Sequence, residues 1–173
     1  LTVALDGRHL SALEAGLAAL KSETREHARV TPEIFPLDGI ADDIAAWREE
    51  VHRGRGIVML SGFPVADIEA EDMRLMYLGF GSHFGRPTSQ SPLGDLIGDV
   101  VNIGGNDKQE RAYRSSRRLS LHTDRCDHLA MLCIRPAASG GLSGYASGLT
   151  AHNIMLEERP DLVEVLYRGY HHH

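Results

Sequence analysis

Apolar residues recur along the first half of the chain at intervals that suit helices. Leu10, Leu13, Leu17 and Leu20 share one face, so residues 10–28 are expected as a half-buried amphipathic helix. A connector holding Pro32 and Pro36 leads to Asp38, which is expected to cap a second helix over residues 39–53. There Ile40, Ile44, Trp47 and Val51 repeat along one stripe, and Gly54 closes the helix. Residues 56–61 (GIVMLS) read as a short buried strand stopped by Gly62 and Pro64. A third helix is expected over residues 69–84. Glu69, Glu71 and Asp72 crowd its first turn, where the helix dipole favours them. Its stripe of Met73, Met76, Tyr77, Phe80 and Phe84 reads as core.

From residue 94 the period shortens. Residues 99–103, 119–122, 129–134 and 144–147 are strand candidates separated by Gly, Ser and Pro clusters. Thr150 is expected to cap a short helix reaching Arg159, and Pro160 to start another through Tyr167. Helices first and strands afterwards give an α+β fold class. The length of 173 residues suits one domain, with a helical lead-in over about 1–90 and a strand-rich part over about 94–173.

Composition narrows the function classes. A formal net charge of −6 argues against a nucleic-acid scaffold. The sequence holds no apolar run long enough to span a membrane, and Asp6, Arg8 and His9 interrupt any signal-like stretch. Cys126 and Cys133 make no disulfide framework, so a cytoplasmic setting is expected. The loop over 104–118 carries Arg111, Arg114, Arg117 and Arg118. It reads either as a solvated loop or as a lid whose guanidinium groups attract an anionic small-molecule substrate.

The candidate chemistry lies at His122-Thr123-Asp124. In an extended chain residues i and i+2 face the same side, so the imidazole and the carboxylate converge. One nitrogen and one carboxylate donor, joined by a distant second histidine, form the facial triad of non-haem iron oxygenases. The tripeptide alone is weak, because this composition yields about 0.7 H-x-D matches by chance. A solvent-facing histidine beside a turn-capping aspartate fits it equally well.

The surroundings add to it. The segment LHTDRCD (121–127) is followed by LAMLCIRP (129–136) and SGGLS (139–143), then by Ser147, AHN (151–153), EERP (157–160) and LYRG (166–169). Upstream stand GIVMLSGF (56–63) and FGSHFGRP (80–87). In order and content these motifs, covering roughly residues 45–170, closely resemble the taurine dioxygenase family.

The resemblance implies a distorted double-stranded β-helix, a cupin-like jelly roll, holding one Fe(II). It implies a cosubstrate, 2-oxoglutarate, converted to succinate and CO2 as O2 oxidises a small molecule. His122 and Asp124 take the metal-ligand positions, and Ser143 takes that of a hydroxyl that helps hold 2-oxoglutarate. The family's second histidine and its 2-oxoglutarate-binding arginine come from a later segment, so the jelly roll is expected to be incomplete and the chain truncated relative to the family. His128 and His152 read as structural histidines, and His171–His173 stand after a helix near the chain end. Cys126 reads as a buried inert thiol, and Arg125 as a substrate or outer contact. Two other classes compete: a catalytically inactive cupin-like binding or assembly protein, and a zinc hydrolase using the same two donors.

Overall fold

The carboxylate of Asp6 determines where the first helix begins. It accepts the backbone N–H groups of Arg8 at 2.9 Å and His9 at 3.2 Å, two donors that have no partner inside a helix. Helix α1 therefore spans Gly7–Glu23, starting earlier than its leucine pattern predicts. Its end comes earlier as well. Thr24 turns to extended backbone, and its N–H returns to the Leu20 carbonyl at 2.8 Å. The computed structural model of the chain describes residues 1–66, 68–101, 119–124 and 126–169.

Asp38 does not cap the second helix. It opens a 3₁₀ turn, Asp38–Ile40, whose last residue precedes helix α2, Ala41–His52, without a side-chain cap. Asp42 and Asp43 supply the negative charge in the first turn of α2. Helix α3, Ala70–Ser82, follows the expected stripe and also buries Leu75, Leu78 and Gly79.

A strand that the residue pattern does not signal, β1 (Thr2–Ala4), pairs in parallel with β2 (Met59–Ser61). The register sets Thr2 against Met59, Val3 against Leu60 and Ala4 against Ser61, and the Leu5 N–H extends the ladder to the Ser61 carbonyl at 2.9 Å. Gly62 leaves β2 at φ +86°, a left-handed turn that a residue with a Cβ rarely adopts.

The core of this region closes around Phe35, which is fully buried. Its ring lies between α1 and α3 where both present glycine. A Cβ added to Gly16 would stand 2.9 Å from the ring, and one added to Gly79 only 2.2 Å. Leu13, Leu17 and Leu20 of α1 and Leu75, Met76 and Leu78 of α3 complete the packing with Ile40, Ile44 and Trp47. Outside it, Lys21 and Arg25 reach Asp72, and His27 lies 2.8 Å from Glu71.

The chain divides into two compact units. One comprises Leu1–Arg118 and Asp124–Arg135, and the other Leu119–Thr123 and Pro136–His173. The second holds helices α4 (Gly148–Glu158) and α5 (Pro160–Tyr167). Ser147, not Thr150, caps α4: its hydroxyl accepts the Thr150 N–H at 3.2 Å. Residue 147 is thus a helix cap instead of a strand end.

The expected jelly-roll strands do not appear among the described residues. Among the described residues β1 and β2 are the only strands, and the stretches at 119–122, 129–134 and 144–147 have no ladder. Part of the 99–103 candidate, and all of the arginine loop at 104–118, lie outside the described residues. Alternating apolar residues become a strand only when a neighbour takes up their N–H and C=O groups and covers one face. Leu121, Leu129, Met131 and Leu142 are instead exposed.

The Phe35 packing yields a matched pair of substitutions on α3. Gly79→Ala should lower stability by about 1–3 kcal/mol, because its methyl overlaps the ring. Gly81→Ala, with nothing within 4 Å of the new methyl, should raise it by roughly 0.5–1 kcal/mol through helix propensity. Urea unfolding of the two variants checks the opposite signs.

Candidate metal and cosubstrate site

His122 lies in a segment without helix or strand, and its side chain is exposed. Its Nδ1 is 2.8 Å from the Ser120 carbonyl oxygen. A carbonyl only accepts, so the ring nitrogen must donate: Nδ1 carries the proton. In the neutral ring the lone pair then belongs to Nε2. Such a bond fixes both tautomer and ring orientation, which is how metal-binding histidines are commonly held.

Asp124 is likewise exposed. The boundary between the two units falls between Thr123 and Asp124, so each donor is described within its own unit. An imidazole nitrogen and a carboxylate oxygen suit a divalent first-row metal. Among the described residues no group of three His, Cys, Asp or Glu side chains could hold one. The donor types fit the expected iron, and the two together would make up part of a ligand set.

Ser143 follows a turn in which Gly140 and Gly141 both adopt the left-handed region, at φ +73° and +67°. A Cβ on Gly141 would also lie 3.0 Å from Ala137. This is the glycine turn expected from the sequence motif, and it leaves the Ser143 side chain exposed.

Other candidates separate by their contacts. His128 stands edge-on to His52, with ring centroids 4.4 Å apart. His152 on α4 lies 3.1 Å from the Tyr167 hydroxyl of α5, a structural tie between adjacent helices. Cys126 is exposed, which corrects its reading as a buried thiol, and Cys133 is exposed too. Arg125 and His171–His173 lie outside the described residues. No helix among the described residues is long and apolar enough to cross a membrane.

One constellation was not anticipated from the sequence. His9 is buried at the start of α1, paired with Asp6 and stacked on Trp47 of α2. Its signal was the spacing of Asp6 and His9, a capping box with histidine in the place usually held by Glu or Gln.

Comparison with known proteins bears on the motif-bearing region directly. The chain is 29% identical over 137 residues to FR-33289 synthase of Streptomyces rubellomurinus (strain ATCC 31215), an alignment covering 78% of this chain and 40% of that protein. It is 22% identical over 173 residues to the taurine hydroxylase-like protein SAT17 of Stachybotrys chartarum (strain CBS 109288 / IBT 7711), covering 95% of this chain and 45% of that one. The chain thus spans less than half the length of either relative. The family described as "Taurine catabolism dioxygenase TauD, TfdA family" matches residues 23–173, which include α2, α3, the H-T-D tripeptide and the glycine turn. The chain belongs to the TauD/TfdA family of dioxygenases.

Proposed function

We propose that this chain contributes part of the centre of an Fe(II)- and 2-oxoglutarate-dependent dioxygenase that oxidises a small anionic molecule. The observation that carries the reading is the hydrogen bond from His122 to Ser120, inside the family-matched segment, which presents the ring in its metal-competent tautomer. His122 and Asp124 would hold the iron, with a third ligand from outside the described residues. Ser143 would donate its hydroxyl hydrogen to a carboxylate of 2-oxoglutarate, a charge-assisted bond.

When bound, the metal and its cosubstrate supply O2 activation, with 2-oxoglutarate consumed to succinate and CO2. The rest of the work falls to this chain's own groups. The Ser120 carbonyl keeps the His122 proton on Nδ1 and so prevents the ring from turning its lone pair away. Asp124 brings a negative charge that offsets the charge of a divalent ion. The positive-φ turn at Gly140–Gly141 brings the chain round to Ser143, and Gly141 has no side chain that would press on Ala137. The arginines at 111, 114, 117 and 118 supply cations close in sequence to the H-T-D tripeptide, which supports an anionic substrate.

Two measurements test this reading. In the intact natural protein that carries these residues, Asp124→Ala should reduce succinate formation from 2-oxoglutarate to background. Removing an outer partner of a metal ligand costs about 10–100-fold, and removing a ligand should cost more. Cys126→Ser should leave turnover unchanged. Equal turnover in Asp124→Ala and the unaltered protein excludes the mechanism.

The second measurement is anaerobic calorimetry of the 173-residue chain with Mn(II). Two donors hold such an ion weakly, so binding should be weaker than micromolar. Micromolar binding would assign the third ligand to a local histidine such as His128, His152 or one of His171–His173.

A further inference from the structure

We propose that His9 is a proton-operated latch tying the start of α1 to α2, with Trp47 as its built-in reporter. The argument begins at one atom with two incompatible partners. The Asp6 backbone N–H points at His9 Nδ1 from 3.1 Å and requires a lone pair there. The Asp6 carboxylate Oδ1 lies 2.7 Å from the same nitrogen and requires a proton there. A single ring state satisfies only one of them.

The far side of the ring adds the second carboxylate. Nε2 is buried and has no hydrogen-bond partner among the described residues, and Asp43 Oδ2 of α2 lies 3.4 Å from it. The ring is stacked on Trp47, with centroids 5.5 Å apart and planes 22° from parallel. Doubly protonated, His9 is a cation with a carboxylate at each nitrogen and an indole face against it, and all three contacts favour that charge. Neutral, it retains its proton on one nitrogen only. With Nδ1 bare it accepts the Asp6 N–H and closes the capping box, and the attraction between α1 and α2 weakens.

Among the described residues, Arg8 is a further charged neighbour. Its guanidinium lies 2.9 Å from Asp43 Oδ2 and 3.9 Å from Asp6 Oδ2, so it competes for both carboxylates. Arg8 is more than half exposed, whereas the His9 side chain is 5% exposed, and water screens the former far more. Helix α3 meets the cluster through an uncharged group, Phe80, whose ring centroid is 6.2 Å from that of Trp47. The latch therefore acts where β1 hands over to α1, a corner whose only covalent continuation is Leu5 and Asp6.

Trp47 is the single tryptophan of the sequence, so its emission reads this one site. A stacked imidazolium quenches indole fluorescence more strongly than a neutral imidazole. Emission of the full chain should rise in one step as pH goes from about 5 to about 9, the range in which imidazoles release a proton. His9→Gln should lose the step, and His52→Gln, altering the histidine at the end of α2, should keep it. Asp43→Asn should shrink the step, because an amide makes no ion pair with the charged ring and holds it less closely on Trp47. That variant also carries the test alone if His9→Gln does not fold. A flat profile in the unaltered chain, the same step in folded His9→Gln, or an undiminished step in Asp43→Asn overturns the proposal.

Discussion

One aromatic ring sets the spacing on which the first unit depends. Phe35 occupies the space between α1 and α3 only because each helix presents a glycine to it. The approach permitted there brings Lys21 of α1, and Arg25 just beyond it, within reach of Asp72 of α3, and His27 within reach of Glu71. It also sets the position of the loop that carries the ring. The Phe35 carbonyl accepts a hydrogen bond from His83 Nε2 at 2.8 Å, so the residue following α3 is tied back to the same loop. Surface ion pairs contribute little individually. Here they mark the close approach, and the buried ring against two glycines holds it.

How much of this was legible follows from which signals are local. The leucine stripe of α1, the isoleucine and tryptophan stripe of α2 and the methionine-rich face of α3 repeat within single segments, and all three helices form. Helix boundaries differ from the pattern where a side-chain bond decides the matter, as at Asp6 for α1 and Ser147 for α4. Strand β1 gave no periodic signal, because three residues are too few to show alternation and their partner lies far along the chain. The roles of Gly16 and Gly79 were equally hidden. A glycine's meaning there is the shape of a ring supplied by another segment.

The candidate site divides differently. Its residue types and order are a property of the sequence and agree with the family match over residues 23–173. The Gly140–Gly141 turn also follows from the motif, since paired glycines readily take positive φ. The extended pairing expected around His122 and Asp124 does not follow from sequence alone. Alternation at 129–134 expresses a preference for a sheet, and a sheet needs strands from elsewhere. The described residues provide the local turn, the cap and the His122 tautomer without the ladder that would make them one surface.

The parallel pairing of Thr2 with Met59 carries a consequence for the order of assembly. Everything between the two strands, including α1, the Phe35 loop and α2, lies within the loop that this pairing closes. Closure entropy rises only slowly with loop length, but it must be met before the ladder returns any hydrogen-bond energy. The helices, whose bonds are local, can form and dock first and shorten the effective loop. Strand β1 is then recruited onto a surface already built. On the ribosome residues 2–4 would emerge before residues 59–61 and find their place late, waiting for a strand synthesised after two helices.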